Sequence, residues 1–253
     1  MQLGGTARSV EDVRQLMAMG LQFAEVSIAD PEAFSSKDHV REYQDLLRGS
    51  DFFYLCHGPR EGNPNDLYSL EHVYLPKLLR ILPLVRKLNA KVLTVHLWMD
   101  PRFVKQEVIV YKIGFLRRVL EQAAQYQVPV NIENLSEKAG DLAEIFEALP
   151  ELGFTLDIGH AQLLTSENRS LGFIRRYPER IRHVHIHDNF GGSSPEDDLH
   201  LPIGEGLVNF GPIFDELNTI GYRGTITLEL RPHEIQPSME KVKWLWKNSV
   251  SSK

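Results

Sequence analysis

Short apolar segments rich in β-branched residues alternate with amphipathic segments from one end of this chain to the other. Segments of the first kind predict strands at residues 1–7, 23–29, 52–57, 91–97, 129–134, 154–160, 181–188 and 225–230. Segments of the second kind predict helices that begin near Ser9, His39, Tyr68, Gln106, Ala139, Ser170, Phe210 and Ser238. Strict alternation of strands with helices indicates βαβ units, in which the strands lie parallel within one sheet.

Eight strand–helix pairs in 253 residues predict a fold of the α/β class, a single (β/α)8 TIM barrel that spans residues 1–253 as one domain. No stretch rich in Pro, Ser or Gly is long enough to mark a domain boundary. The single cysteine, Cys56, excludes an intrachain disulfide, and no apolar run approaches the roughly 18–20 residues of a membrane span. Because the first residues also lack the pattern of a signal peptide, we expect a cytoplasmic protein.

Ionisable side chains follow six consecutive predicted strands, from the third to the eighth, at the end where each strand leads into the next helix. The active sites of β/α barrels lie at this end of the sheet. We therefore expect one cluster at the barrel mouth, formed by His57, His96, Glu133, Asp157, His160, His185, Asp198, His200 and Glu229.

Each of these residues alone has an ordinary structural explanation, such as a helix cap or a hydrogen-bonded histidine. Together, converging carboxylates and imidazoles would repel one another and resist desolvation unless cations lay between them. Imidazole and carboxylate donors without thiolates suit several divalent metals. The sequence therefore predicts one to three divalent metal ions per chain, with manganese or zinc expected and magnesium, cobalt or iron as alternatives.

Three motifs in this region resemble those of the xylose-isomerase-like TIM barrels, a superfamily that holds metal-dependent sugar isomerases and epimerases together with the endonuclease IV nucleases. The segment Gly153-Phe-Thr-Leu-Asp157-Ile-Gly-His160 is similar to a nuclease signature, with Thr155 where a cysteine is usual. The spacing from His185 to Asp198 and His200 is similar to another. The segment His200-Leu-Pro-Ile-Gly204-Glu-Gly206 resembles a turn common across the superfamily.

The resemblance implies two overlapping ligand sets. All nine residues named above match the trinuclear metal ligands of the nuclease. The smaller set of the isomerases and epimerases is a subset, formed by Glu133, Asp157, His185 and Glu229. A metal site is expected from either branch, whereas the reaction differs between them.

Departures from the nuclease pattern favour the isomerase branch. After His57 the chain continues as Gly58-Pro59-Arg60-Glu61, where the nuclease has an aromatic and apolar loop. Phe190 and Leu199 stand where the nuclease has basic residues. Loss of basic contacts weakens binding to the phosphates of a duplex, and the formal net charge of −6 acts in the same direction. A nucleic-acid partner is therefore disfavoured.

The leading expectation is a metal-dependent isomerase or epimerase of a small sugar, sugar phosphate or polyol, with Glu133 and Glu229 as the acid–base pair. The alternative is an endonuclease IV-like phosphodiester hydrolase that acts on abasic-site DNA. A third reading is a barrel that binds a metabolite or a metal without catalysis. Superfamily members are often dimers or tetramers, so a homo-oligomer is compatible with the resemblance, and we expect no membrane partner.

Three further residues are candidates for contact with a sugar-like substrate. Trp98 follows His96 and is expected either to stack on a sugar face or to pack under a neighbouring loop. His187 is expected to orient a ligand or the substrate. Arg231 is expected either to face an anionic substituent or to form a surface ion pair near Glu234.

Overall fold

The computed structural model describes residues 1–249 and shows a closed barrel of parallel strands in which sequence neighbours pair and the last strand pairs with the first. This architecture confirms the predicted (β/α)8 fold. The strands are β1 (Gln2–Ala7), β2 (Phe23–Ser27), β3 (Phe53–His57), β4 (Leu93–His96), β5 (Val130–Glu133), β6 (Gly153–Asp157), β7 (Ile181–Ile186) and β8 (Thr225–Leu228).

Helices follow the strands and cover the outside of the barrel. They are α1 (Val10–Ala18), α2 (Pro31–Phe34), α3 (Lys37–Leu46), α4 (Leu67–Ser69), α5 (Leu75–Lys87), α6 (Gln106–Tyr126), α7 (Ala143–Ala148), α8 (Ser170–Arg176), α9 (Phe210–Thr219) and α10 (Pro232–Ser249). A single π-helical turn, Leu70–Tyr74, joins α4 to α5. Among the described residues, no helix is both long and apolar enough to cross a membrane.

Local sequence signals account for how α1 begins and ends. The Ser9 hydroxyl accepts a hydrogen bond from the Asp12 amide at 3.1 Å, and the Asp12 carboxylate accepts one from the Ser9 amide at 2.9 Å. This reciprocal pair satisfies amides that have no partner within the helix. The helix ends just before Gly20, whose φ of +76° lies in the left-handed region that glycine adopts without a steric penalty.

Several predicted boundaries were wrong. The seventh strand was expected to reach Asp188, but β7 ends at Ile186. The sixth strand was expected to reach His160, but β6 ends at Asp157, and His160 begins a 3-10 turn. Strand pairing stops there because the chain must turn at the barrel rim, where the Asp157 carboxylate accepts a hydrogen bond from the His160 amide. The last helix was expected near Ser238, but it begins at Pro232, a residue whose fixed φ suits the first helical turn. The short helix α2 was not predicted.

The hydrophobic core lies mainly between the strands and the helices. Cys56, which precedes His57 on β3, is fully buried in this layer, because successive side chains of a strand point to opposite faces. Polar side chains fill part of the barrel interior, where the Thr94 and Thr155 hydroxyls lie 2.9 Å apart and the Asn131 amide donates to Thr155. Polar side chains therefore continue inside the barrel from this level up to its mouth.

Candidate metal centre

Four of the nine predicted donors are the last residues of four consecutive strands. They are His57 of β3, His96 of β4, Glu133 of β5 and Asp157 of β6. A parallel barrel brings the C-terminal ends of neighbouring strands to the same rim, so each of these side chains reaches the mouth from its own strand. His185 lies one residue before the end of β7, and Glu229 lies one residue after the end of β8.

Glu133 occupies the centre of the cluster. Its Oε2 accepts hydrogen bonds from Nε2 of His57 and Nε2 of His96, both at 3.0 Å. Its Oε1 lies 3.1 Å from Nδ1 of His160 and 3.2 Å from Nδ1 of His185. The side chain has no exposed surface. One carboxylate therefore connects two groups of imidazoles, one at each of its oxygens.

A second group surrounds Nδ1 of His185. Glu133 Oε1 and Glu229 Oε1 each lie 3.2 Å from this nitrogen, and Asp157 Oδ2 lies 3.7 Å from it. The donor atoms of these four residues all lie within 4.8 Å of one another. This group is the smaller ligand set that the resemblance implied.

A third group lies on the side of β6 and β7 and includes two residues of the loop that follows β7. Asp198 Oδ2 is 3.3 Å from Nε2 of His160 and 3.1 Å from Nε2 of His200. His187 stacks on His200 with ring centroids 3.9 Å apart, and its Nε2 lies 3.2 Å from Asp157. His160, His187, Asp198 and His200 offer donor atoms within 4.8 Å of one another.

Backbone geometry holds the third group in place. His200 has a φ of +48°, a left-handed conformation that costs a non-glycine residue about 1 kcal/mol. The carboxylate of Asp188 accepts hydrogen bonds from the amides of Asn189, Gly204 and Val208, and so closes the loop that carries Asp198 and His200. A Cβ at Gly206 would overlap this carboxylate, which explains the glycine there.

The donor set fits divalent metal ions. Five of its buried atoms have no hydrogen-bond partner among the described residues, namely Glu133 Oε1, Asp157 Oδ2, His185 Nδ1, His187 Nε2 and Asp198 Oδ1. Buried polar atoms in a folded protein normally have a partner, and orphaned atoms carry a large desolvation cost. These five atoms face one another across the cluster, and the groups that they form contain only imidazole and carboxylate donors. Cations between them would satisfy both their charge and their lone pairs.

The pKa values of the cluster show the same electrostatic coupling in the absence of metal. Burial opposes the charged form of His57, but the hydrogen bond and charge of Glu133 outweigh it and raise the pKa of His57 to about 9. Burial likewise opposes the charged form of His200, but its hydrogen bond to Asp198 raises the pKa to about 9. The imidazoles around Glu133 hold its pKa well below the usual range against the effect of its burial. Metal-free protein therefore keeps protons in place of cations.

We expect the stability of metal-free protein to fall between about pH 6.5 and pH 9. The raised pKa of His57 means that its contribution is complete below the unfolded pKa of 6.5 and is lost as the pH rises through about 9. The loss for His57 is on the order of 1–3 kcal/mol. Urea unfolding of chelator-treated protein at pH 6 and pH 9.5 measures the difference in the free energy of unfolding. The decrease at the higher pH should be smaller in the His57→Gln variant than in the wild type. Equal stability at the two pH values would contradict this coupling.

Glu25 was not predicted and supports the centre from below. This fully buried carboxylate of β2 accepts hydrogen bonds from Nε2 of His185 at 2.8 Å and Nε2 of His183 at 3.2 Å. A hydrogen bond at Nε2 leaves Nδ1 of His185 free to face the site, which is the orienting role that such carboxylates have beside metal-bound histidines. The signal in the sequence was an acidic residue within the apolar strand Phe-Ala-Glu-Val-Ser.

Asn134 and Gly159, next to the donors, also contribute to the positions of Asp157, His160 and His187. The side-chain amide of Asn134 donates to the backbone carbonyl of Asp157 and accepts from the backbone amide of Asp157, both at 2.8 Å. The backbone carbonyl of Asn134 accepts a hydrogen bond from Nδ1 of His160 at 3.1 Å. A Cβ at Gly159 would overlap the His187 ring, so only glycine permits this close approach.

A cavity of about 670 Å³ opens above the donors, and its lining includes His57, His96, His160, His200 and Glu229. Arg231 also lines it. Trp98 and His187 do not line it. The Trp98 indole donates to the Ser136 hydroxyl and stacks on Phe103, so it packs beneath a neighbouring loop, whereas His187 is fully buried against Asp157.

The fold and the motifs are those of one family. The sequence model described as xylose isomerase-like TIM barrel matches residues 13–247. The chain therefore belongs to the xylose isomerase-like TIM barrel family. Two uncharacterized proteins of Methanocaldococcus jannaschii are relatives. MJ1311 is 32% identical over 155 residues, which are 56% of this chain and about half, 52%, of that protein. MJ1614 is 25% identical over 232 residues, which are 88% of each.

Solved structures share the fold over almost the whole chain. A D-tagatose 3-epimerase-like protein superposes with a TM-score of 0.85 and 23% identity, over 99% of both chains. The TTHB071 protein from Thermus thermophilus, soaked with ZnCl2, has a TM-score of 0.78 and 23% identity, over 98% of this chain and 99% of that one. D-Psicose 3-epimerase with D-tagatose, from Clostridium cellulolyticum, has a TM-score of 0.77 and 14% identity, over 97% and 99%.

Proposed function

We propose that this protein is a metal-dependent isomerase or epimerase of a small sugar, sugar phosphate or polyol. The observation that carries the proposal is the group in which Glu133 and Glu229 each lie 3.2 Å from the same His185 nitrogen, with Asp157 beside them. This group is a four-ligand metal site in which two of the ligands, Glu133 and Glu229, are also the carboxylates of the expected acid–base pair. The sugar epimerases among the structures of the same fold support the assignment.

In this reaction a proton leaves a carbon next to a carbonyl, the electron pair moves to the carbonyl oxygen, and a proton returns to carbon. Glu133, Asp157, His185 and Glu229 would hold a divalent ion, which would supply positive charge next to the substrate oxygens. Glu229 lines the cavity, so its carboxylate is the group that removes the carbon-bound proton. Manganese or zinc suits the imidazole and carboxylate donors, and magnesium, cobalt or iron remain alternatives.

Glu133, the second predicted member of the acid–base pair, has no exposed surface. Its Oε2 instead accepts hydrogen bonds from His57 and His96, and both of these line the cavity. We therefore assign the return of the proton to Glu133 acting through one of these imidazoles. A carboxylate that holds an imidazole in this way raises its basicity and fixes its orientation.

Deuterium exchange tests the proposal. Metal-loaded protein is incubated in D2O with a panel of ketoses and ketose phosphates, and NMR follows deuterium at the carbons next to the carbonyl. Exchange on at least one member, with conversion to its epimer or isomer, is the expected result. Elemental analysis of the same protein gives the metal and its stoichiometry. No exchange on any member of a broad panel, with metal bound, contradicts the proposal.

A second candidate is metal-assisted hydrolysis of a phosphodiester, as in abasic-site DNA. One specific observation favours it, since an isomerase needs no ion at the group of His57 and His96 with Glu133 and none at the group around Asp198. Two or three ions held by these groups would activate water and stabilise the leaving oxygen. Cleavage of an abasic-site duplex by metal-loaded protein would establish this alternative, and three ions per chain would agree with it.

Asp198→Asn separates the two candidates. Asp198 belongs to the third donor group and not to the group around His185. The isomerase proposal therefore predicts that the variant keeps proton exchange within about tenfold of the wild type, since general acid–base groups that contribute directly are worth more than that. The hydrolase candidate predicts loss of cleavage and of one bound ion. If the rate of proton exchange and the metal content both fell in Asp198→Asn, this result would contradict the assignment of the reaction to the group around His185 alone.

A further inference from the structure

Three arginines line the same cavity as the metal donors. They are Arg8, Arg60 and Arg231, and each is exposed to solvent within the cavity wall. Arg8 directly follows β1, Arg60 lies three residues after the end of β3, and Arg231 lies three residues after the end of β8. Because β8, β1, β2 and β3 are consecutive neighbours in the barrel, these side chains come from one continuous arc of the rim.

The guanidinium groups of these arginines have no ion-pair or hydrogen-bond partner among residues 1–249. Three acidic residues, Glu205, Glu229 and Glu234, also line the cavity. The carboxylate of Glu234 is already engaged, because it accepts a hydrogen bond from the Arg231 amide at 3.0 Å and lies 3.8 Å from His233. Counted formally, the three arginines balance the three glutamates of this lining, in a chain whose net charge is −6.

We propose that this arginine arc binds the phosphate group of a phosphorylated sugar, while the sugar carbons lie over the donors around His185. Arginine offers forked donors that match phosphate oxygens and keeps its charge at every physiological pH. A cavity of about 670 Å³ is within the range of pockets that hold small metabolites. The sugar part of the inference rests on the proposed function, whereas phosphate binding at the arc is tested independently of any reaction.

Calorimetric titration with inorganic phosphate tests the arc. The protein is loaded with zinc and freed of unbound zinc by gel filtration before each titration. Arg8→Gln, Arg60→Gln and Arg231→Gln are each expected to weaken phosphate binding by about tenfold, since each removes a charge-assisted contact. Arg41→Gln, which changes an exposed arginine of α3 outside the cavity, is the matched control and should bind as the wild type does.

Two further measurements make the result unambiguous. Elemental analysis shows whether each variant keeps the zinc content of the wild type, so that loss of phosphate binding is not loss of metal. Titration with acetate in place of phosphate shows whether the arc prefers a phosphate to a carboxylate, and we expect acetate to bind at least about tenfold more weakly, the factor that 1.4 kcal/mol represents.

Wild-type phosphate affinity in all three arginine variants would overturn the inference and place phosphate at the metal donors. Equal affinity for acetate and phosphate, lost in the same variants, would overturn the choice of phosphate. Arginine-dependent phosphate binding without deuterium exchange on any ketose phosphate would leave the arc established and reject the isomerase proposal. The two failures are therefore distinguishable.

Discussion

Replacement of Glu229 by glutamine should lower the rate of proton exchange between substrate and solvent by about 10²–10⁴-fold, the usual contribution of a general acid–base group. Glutamine has nearly the same shape and can still accept a hydrogen bond, but it cannot take up the proton. Glu229 is mostly buried yet lines the cavity, where the proposed substrate would bind. The measurement is the initial rate of deuterium incorporation on the substrate that the panel identifies.

The matched control is Glu121→Gln, which changes an exposed glutamate of α6 that does not line the cavity. It should exchange at the wild-type rate. Thermal unfolding and metal content are measured for both variants, so that a loss of exchange can be separated from a loss of fold or ion. Near-normal exchange in Glu229→Gln at full metal content would exclude Glu229 as the proton acceptor.

Glu133→Gln should have the largest effect on the centre itself. In metal-free protein at pH 7 we expect a loss on the order of 3 kcal/mol in the free energy of unfolding, because one partner of a buried network of charges is removed. The variant should also retain fewer ions than the wild type, because Glu133 belongs to two of the donor groups. Urea unfolding and elemental analysis measure the two effects.

Glu137→Gln is the matched control for this variant. Glu137 is also buried, but its two oxygens accept hydrogen bonds only from the backbone amides of Met99 and Leu135. It should lower stability by the cost of a lost backbone contact, about 1–3 kcal/mol, and leave the metal content unchanged. A wild-type metal content in Glu133→Gln would show that this carboxylate is not a ligand.

The fold could be predicted because the signal is repeated along the chain. Each βα unit contributes its own apolar strand and amphipathic helix, so an error at one boundary does not change the count or the parallel order. The positions of the donors followed from the same logic, since His57, His96, Glu133 and Asp157 are the residues at which their strands end. Periodicity thus located the rim without any knowledge of the loops.

The parts that could not be predicted depend on contacts between distant segments. Glu25 lies 160 residues from His185 along the chain, and their hydrogen bond becomes visible only when the barrel closes. The arc of Arg8, Arg60 and Arg231 likewise depends on the pairing of β1 with β8. Trp98 had two interpretations, and its stacking on Phe103 decided between them. Residues 250–253, which the predicted domain included, lie outside the described part of the chain.

The Asp188 carboxylate closes the loop between β7 and α9, because it accepts hydrogen bonds from backbone amides at both ends of that loop. Asp198 and His200 are thus carried on a self-contained insert, while the ligands around His185 come from the strands or the residue next to one. Substitutions within that insert can add or remove one of the proposed ion-binding positions without disturbing the strands of the barrel. Under the proposed function, a change between a site for one ion and a site for several would then require changes in this loop and not in the sheet.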